Sequence, residues 1–240
     1  MSKTEKLKGS QRALIETVNC SSNRQSLEGK LRDAFPKWKD CSFIWLSPIK
    51  EDGYKEYTGK RFWDLIFSLS DTTPLKEIRS FWPLRGCHWD GIIEVLKGRV
   101  RVGIILLEAK AHTSELFSSI SARSESSIRI ILGTLENVKR ELKAGNGSDW
   151  TGMYYQTANR IAHIMYLNSQ KSLRPVEFAL ANIYFLNDRF AIEECSEHLS
   201  DQSDWMPHLN KEYKYLGINP EEHPILREQI KSIFISSPKY

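Results

Sequence analysis

Three residues of this chain have the types and spacing that metal-assisted phosphodiester chemistry uses. Asp90 lies in Trp89-Asp90-Gly91-Ile92-Ile93-Glu94-Val95. Glu108 and Lys110 close the run Val102-Gly103-Ile104-Ile105-Leu106-Leu107-Glu108-Ala109-Lys110, and a turn near Lys97-Gly98 separates the two stretches. Carboxylate oxygens suit a hard divalent cation. Such a cation polarises a phosphate and makes hydroxide available at neutral pH, and a lysine on the same face orients the water or balances the developing charge. Glu-x-Lys alone says little, because it recurs as Glu28-Gly29-Lys30, Glu141-Leu142-Lys143 and Glu212-Tyr213-Lys214 in charged surroundings that read as solvated surface. Only Glu108-Ala109-Lys110 ends a strand-like run. There Glu108 and Lys110 share one face and Ala109 takes the other. A charged pair closing a buried strand needs a reason, since unpaired buried charge is costly. The plain alternative is an unrelated α/β protein in which the two form a surface ion pair worth little.

Whether Asp90 reaches Glu108 depends on hairpin register. A two-residue loop at Lys97-Gly98 pairs Leu96 with Arg99 and turns Asp90 to the face away from Glu108. A three-residue loop, Lys97-Gly98-Arg99, pairs Leu96 with Val100 and sets Asp90 opposite Leu106. Asp90 and Glu108 then become diagonal neighbours, roughly 7–8 Å apart at the backbone. Gly98 suits the left-handed residue such loops carry. A slip of one residue would separate the carboxylates. The sequence therefore predicts an odd-length loop or a bulge between Asp90 and Glu108.

Asp90, Glu108 and Lys110 resemble the active-site signature of the PD-(D/E)XK nuclease superfamily, the restriction-endonuclease-like fold, over residues 40–190 or so. The family's proline usually sits directly before or near the aspartate. Here Pro83 stands further back, with Leu84-Arg85-Gly86-Cys87-His88-Trp89 between. The resemblance implies an α/β fold, a mixed central sheet flanked by helices, with a Mg2+- or Mn2+-dependent site at one end of a hairpin. It implies that Asp90, Glu108 and the backbone carbonyl of Ala109 hold the metal while Lys110 orients or activates the attacking water. A helix before the sheet would lend a further acid, for which Glu28 and Glu77 are candidates beside the simpler reading of solvated charge.

The chain has 240 residues, 40% hydrophobic and 27% charged, which fits one sizeable core. Its net charge of +4 permits a polyanionic partner without demanding one. No apolar run approaches the roughly 20 residues a membrane span needs, and Met1 to Ser10 is polar and lysine-rich, so no membrane partner and a cytoplasmic location are expected. Cys20, Cys41, Cys87 and Cys195 include no Cys-x-x-Cys pair and read as free thiols rather than a zinc site. Cys87 and His88 raise the question of a nucleophilic pair, but neighbours on a strand point to opposite faces.

Hydrophobic spacing predicts helices over Ser26–Phe35, Arg61–Leu69, Ile128–Leu142 and Trp150–Asn168, the last capped by Asp149. Strands are expected at Ser42–Ser47, ended by Pro48, and at Val176–Leu186, apolar enough to be covered on both sides. Residues 191–240 read as a C-terminal helical addition packed on the same core. The helix from Trp150 carries an apolar stripe of Tyr154, Ala158, Ile161 and Met165, and a polar one of Gln156, Asn159, Arg160 and His163. Arg160, whose fork matches phosphate oxygens, is the candidate substrate contact, and Gln156 the candidate for orienting nucleophile or substrate; a solvated helix face is the plain alternative. His112 shares the parity of Glu108 and Lys110 if the strand extends that far, and would then touch substrate. Trp82 and Trp89 stack on bases or fill core. The functional expectation is a metal-dependent nuclease on DNA or RNA; the alternative is a catalytically inactive module of the same fold that binds nucleic acid or a protein partner.

Overall fold

The computed structural model describes residues 7–69, 79–84, 87–145 and 147–238. In chain order the elements are α1 (Gly9–Asn19), α2 (Ser21–Ala34), β1 (Ser42–Ser47), β2 (Tyr57–Thr58), α3 (Gly59–Phe67), β3 (His88–Trp89), β4 (Gly91–Lys97), β5 (Val100–Lys110), α4 (Glu125–Glu141), α5 (Tyr155–Ser169), β6 (Glu177–Leu186), α6 (Arg189–Cys195), α7 (Gln202–Leu216), α8 (Pro224–Gln229) and β7 (Ile230–Ser236). Five strands form one sheet in the order β1-β4-β5-β6-β7, and β2 pairs with β3 in a small ribbon. β1, β4 and β5 run antiparallel, while β6 is parallel to β5 and β7 parallel to β6. The expected mixed sheet flanked by helices is what forms. A parallel neighbour needs a crossover, and α4 and α5 supply it between β5 and β6.

Both faces of the sheet are buried. Even-numbered side chains such as Ile92, Ile104, Leu106, Phe178 and Leu180 pack with residues of α3, α4, α5, α7 and α8, including Phe62, Leu135, Ile161, Trp205 and Leu226. Odd-numbered ones such as Ile93, Ile105, Leu107, Ala109 and Ala181 pack against Ala13, Leu14, Leu27 and Leu31 of α1 and α2. This explains why β5 and β6 read as continuous apolar runs. Each large apolar side chain so buried stabilises the fold by roughly 1.5–3 kcal/mol. No helix of the described residues is long and apolar enough to cross a membrane.

The β4–β5 hairpin settles the register. Lys97 pairs with Val100 across Gly98-Arg99, with Gly98 at φ 63, and Leu96 pairs with Arg101. Val95 then pairs with Gly103, so Val102 is an extra residue on β5, a bulge. Beyond it Ile92 pairs with Leu106 and Gly91 with Leu107. The expected bulge is present. The expected pairing of Asp90 with Leu106 is not, because the loop has two residues and the odd residue sits inside the strand. Continued by one step, the observed register brings Asp90 level with Glu108 on the same face.

Three boundaries differ from expectation. α5 begins at Tyr155 rather than Trp150, because Asp149 Oδ1 accepts hydrogen bonds from the backbone of Thr151 and Gly152, closing a local turn instead of capping a helix. The helices expected to start at Ser26 and Ile128 start earlier, α4 with Ser124 as its cap. The C-terminal segment is not purely helical, since β7 completes the sheet beside β6.

Candidate active site

The start of β4 and the end of β5 lie side by side. Asp90 occupies the bend between β3 and β4, and its Oδ2 accepts from the Ala109 backbone N–H at 2.8 Å. Gly91 makes this approach possible: a Cβ there would stand 2.7 Å from Leu107 Cδ1 and 3.0 Å from the Ser47 carbonyl. At the end of β5, Glu108 Oε1 accepts from Lys110 Nζ at 2.7 Å and Glu108 Oε2 from Arg160 Nε at 2.8 Å. Lys110 Nζ also donates to Gln156 Oε1 at 2.6 Å. Gln156 and Arg160 are one turn apart on α5, whose first turn is pinned by Gln156 N donating to Ser118 Oγ at 2.7 Å. Five candidates from the sequence, Asp90, Glu108, Lys110, Gln156 and Arg160, therefore meet in one cluster, with Ala109 as backbone.

The charges depend on one another. Burial pushes the Asp90 carboxyl up to about 8, and the nearby negative charge of Glu108 adds to this. Burial also opposes the charge on Glu108, but Arg160 and Lys110 outweigh it and hold that carboxyl below its ordinary value. Burial works against the Lys110 ammonium too, yet Glu108 and Asp90 raise it above the ordinary range. The two carboxylates thus favour the charged ammonium, which can donate a hydrogen bond and stabilise negative charge.

Arg160 departs from the phosphate contact expected of it. It is 4% exposed. Its Nη1 donates to Cys87 Sγ at 2.9 Å, its Nη2 to the His88 carbonyl, and its guanidinium lies over the Trp89 ring at 4.5 Å. With its fork turned inward onto Glu108, it positions that carboxylate instead of meeting solvent or substrate. Asn159 and His163 are buried beside it, so this helix face is turned into the protein and is not solvated.

Other candidates lie elsewhere. β5 ends at Lys110, and His112 bonds Ser114 Oγ at 2.8 Å and stands 3.5 Å from Glu115, with no hydrogen bond to the cluster among those described. Glu28 accepts from Trp45 Nε1 at 3.0 Å and pairs with Arg32, among the helices of the opposite sheet face. Glu77 is outside the described residues. Trp82 and Trp89 are buried core rather than stacking platforms. Cys87 sits 3.6 Å from His163 Nδ1, but burial pushes its thiol up to about 11 and His163 down to about 3, so the pair holds no thiolate.

Two acidic residues escape sequence reasoning. Glu212 on α7 is 2% exposed and accepts from Thr157 Oγ1, and burial pushes it up to about 7. Its signal was present: Trp205, Leu209, Glu212 and Leu216 share one helical stripe, and the first, second and fourth are core. Glu56 accepts from Gln11 Nε2 at 2.7 Å, and both border a void of about 10 Å3 that reaches Asp90.

A hard cation would find only oxygen here: the carboxylates of Asp90 and Glu108, the Ala109 carbonyl and the Gln156 amide. That chemistry suits Mg2+ or Mn2+. Among the described residues no three of His, Cys, Asp and Glu are gathered as a metal-binding group, so the fit rests on two carboxylates and neutral oxygens. Both Glu108 oxygens already accept from cations, though a carboxylate has lone pairs to share further. No family model, curated protein or solved structure matches the chain.

Proposed function

We propose that this protein is a metal-dependent phosphodiesterase of the PD-(D/E)XK nuclease type, acting on nucleic acid. The observation that carries the reading is the convergence of Asp90, Glu108 and Lys110 on one face at the end of β5, which needs the bulge at Val102. A Mg2+ or Mn2+ ion would be held by Asp90, Glu108 and the Ala109 carbonyl, and would supply phosphate polarisation and hydroxide at neutral pH. Lys110, fixed between Glu108 and Gln156, orients the attacking water and stabilises negative charge on the phosphate. Arg160 keeps Glu108 ionised and aimed. Gln156 aims Lys110. The test is hydrolysis of single-stranded DNA, duplex DNA and RNA with Mg2+ or Mn2+. Cleavage should fall at least about 100-fold in Asp90→Ala and in Lys110→Ala. Cleavage unchanged by either substitution would defeat the reading.

A second reading, a catalytically inactive module binding nucleic acid or a protein partner, has one observation in its favour. Glu108 is closed off by Lys110 and Arg160 in a self-sufficient charge cluster. Calorimetric titration with Mg2+ separates the two, because a pure binder takes up no metal that Asp90→Ala abolishes.

A further inference from the structure

An open pocket of about 580 Å3 lies in front of Asp90, between α1, the segment 53–61 and His88. We propose that it receives one nucleoside monophosphate unit of a strand, so that the protein acts on strands with an unpaired nucleotide; this rests on the phosphodiesterase reading. The volume suits a small organic ligand of the size of one nucleotide.

The walls are of two kinds. Tyr54 offers aromatic surface for a base, while Lys55, Arg61 and His88 offer donors to a phosphate. The Arg61 guanidinium is held over the Tyr57 ring at 4.0 Å and paired with Asp52. Asp52 also stands 3.7 Å from Lys55, and Glu56 lines the same pocket, so the two cations are balanced by two carboxylates and a phosphate would be met by directed donors rather than by a net charge. The His88 carbonyl is bound by Arg160, which fixes the residue while its side chain is exposed.

The pocket is also in contact with the cluster. Gln11, Ile15, Tyr54 and Glu56 line both the pocket and the void of about 10 Å3 that Asp90 borders. A space of that size holds about one water. The pocket and the small void that Asp90 borders thus share four lining residues.

The experiment is calorimetric titration of the full chain in EDTA with adenosine monophosphate, adenosine and inorganic phosphate. Adenosine monophosphate should saturate one site, with adenosine and phosphate each at least about tenfold weaker, since each lacks half of the contacts. Lys55→Ala and His88→Ala should each weaken adenosine monophosphate several-fold, and the double variant about tenfold or more. The Lys55 side chain is 70% exposed, so its removal leaves the fold intact, and circular dichroism would verify this for each variant. Asp90→Asn should bind adenosine monophosphate at least as tightly as the parent. Absence of saturation, equal binding of phosphate or adenosine alone, or a double variant that binds like the parent would each overturn the proposal. Since no metal is present, these outcomes are independent of Mg2+ uptake and cleavage, which test the phosphodiesterase reading separately.

Discussion

Replacing Asp90 with asparagine should stabilise the protein at alkaline pH while removing its metal response. The carboxyl is raised from 3.8 to about 8 in the folded state. A raised carboxyl means that the folded form binds the proton more tightly than the unfolded form. Stability therefore declines as pH rises between about 4 and 8, with the full cost present above about 8 and none below about 4. The interval from 3.8 to about 8 corresponds to roughly 5–6 kcal/mol at 1.36 kcal/mol per pH unit. Asp90 is only partly buried by surface area, and solvent screening reduces this to about 2 kcal/mol. Asparagine cannot ionise, yet keeps an oxygen to accept from Ala109 N–H. Urea unfolding followed by tryptophan fluorescence at pH 4.5 and 8.5 should show the two proteins alike at the lower pH and Asp90→Asn more stable by about 2 kcal/mol at the higher. Added Mg2+ should stabilise the parent at pH 8.5, by mass action on the folded state, and leave Asp90→Asn unmoved. Equal stability of the two proteins at both pH values would refute the electrostatic account of this corner, and a Mg2+ effect that survives the substitution would remove Asp90 from the metal site.

Arg160→Met should lower stability by about 3–5 kcal/mol, because Glu108 loses one of its two cationic partners while staying buried; thermal unfolding would read this, and a loss under 1 kcal/mol would contradict it. Gly91→Ala should cost about 1–3 kcal/mol by pressing its methyl on Leu107 and the Ser47 carbonyl, and should lower any cleavage more than Gly133→Ala, a glycine with nothing within 4 Å of an added Cβ. Glu212→Gln should gain stability relative to the parent as pH rises from about 4.5 to about 7, where the unfolded but not the folded carboxyl ionises, with the full gain present above about 7; parallel pH profiles for the two proteins would count against that.

What could be read from the sequence follows the strength of the local signal. Side-chain parity on β5 and the need for an odd residue in the hairpin located Asp90 beside Glu108, because alternation is rigid over a short strand. β6 was legible because a parallel strand covered on both sides is apolar throughout. β7 was not. Its Ile230–Ser236 run mixes Lys231 and Ser232 with apolar residues at the sheet's edge, and prolines nearby suggested loops and helices. The solvated reading of Glu212 and the solvated alternative for the Arg160 face of α5 fail for a common reason. A charged residue on a helix is usually solvated, and only the neighbouring helix or strand decides that it turns inward. The start of α5 was misplaced because an aspartate cap and an aspartate turn use the same side-chain oxygen, and Trp150 is tied instead to the Leu216 carbonyl at 2.8 Å.

The bulge at Val102 makes the count of residues between Asp90 and Glu108 matter more than most of their identities. The hairpin tip, where Val100 is 60% exposed, can lengthen or shorten in steps of two without turning either carboxylate over. An odd insertion or deletion there would flip one acid to the side of α1 and α2, leaving every core side chain chemically unaltered but the two acids divided by the thickness of a sheet.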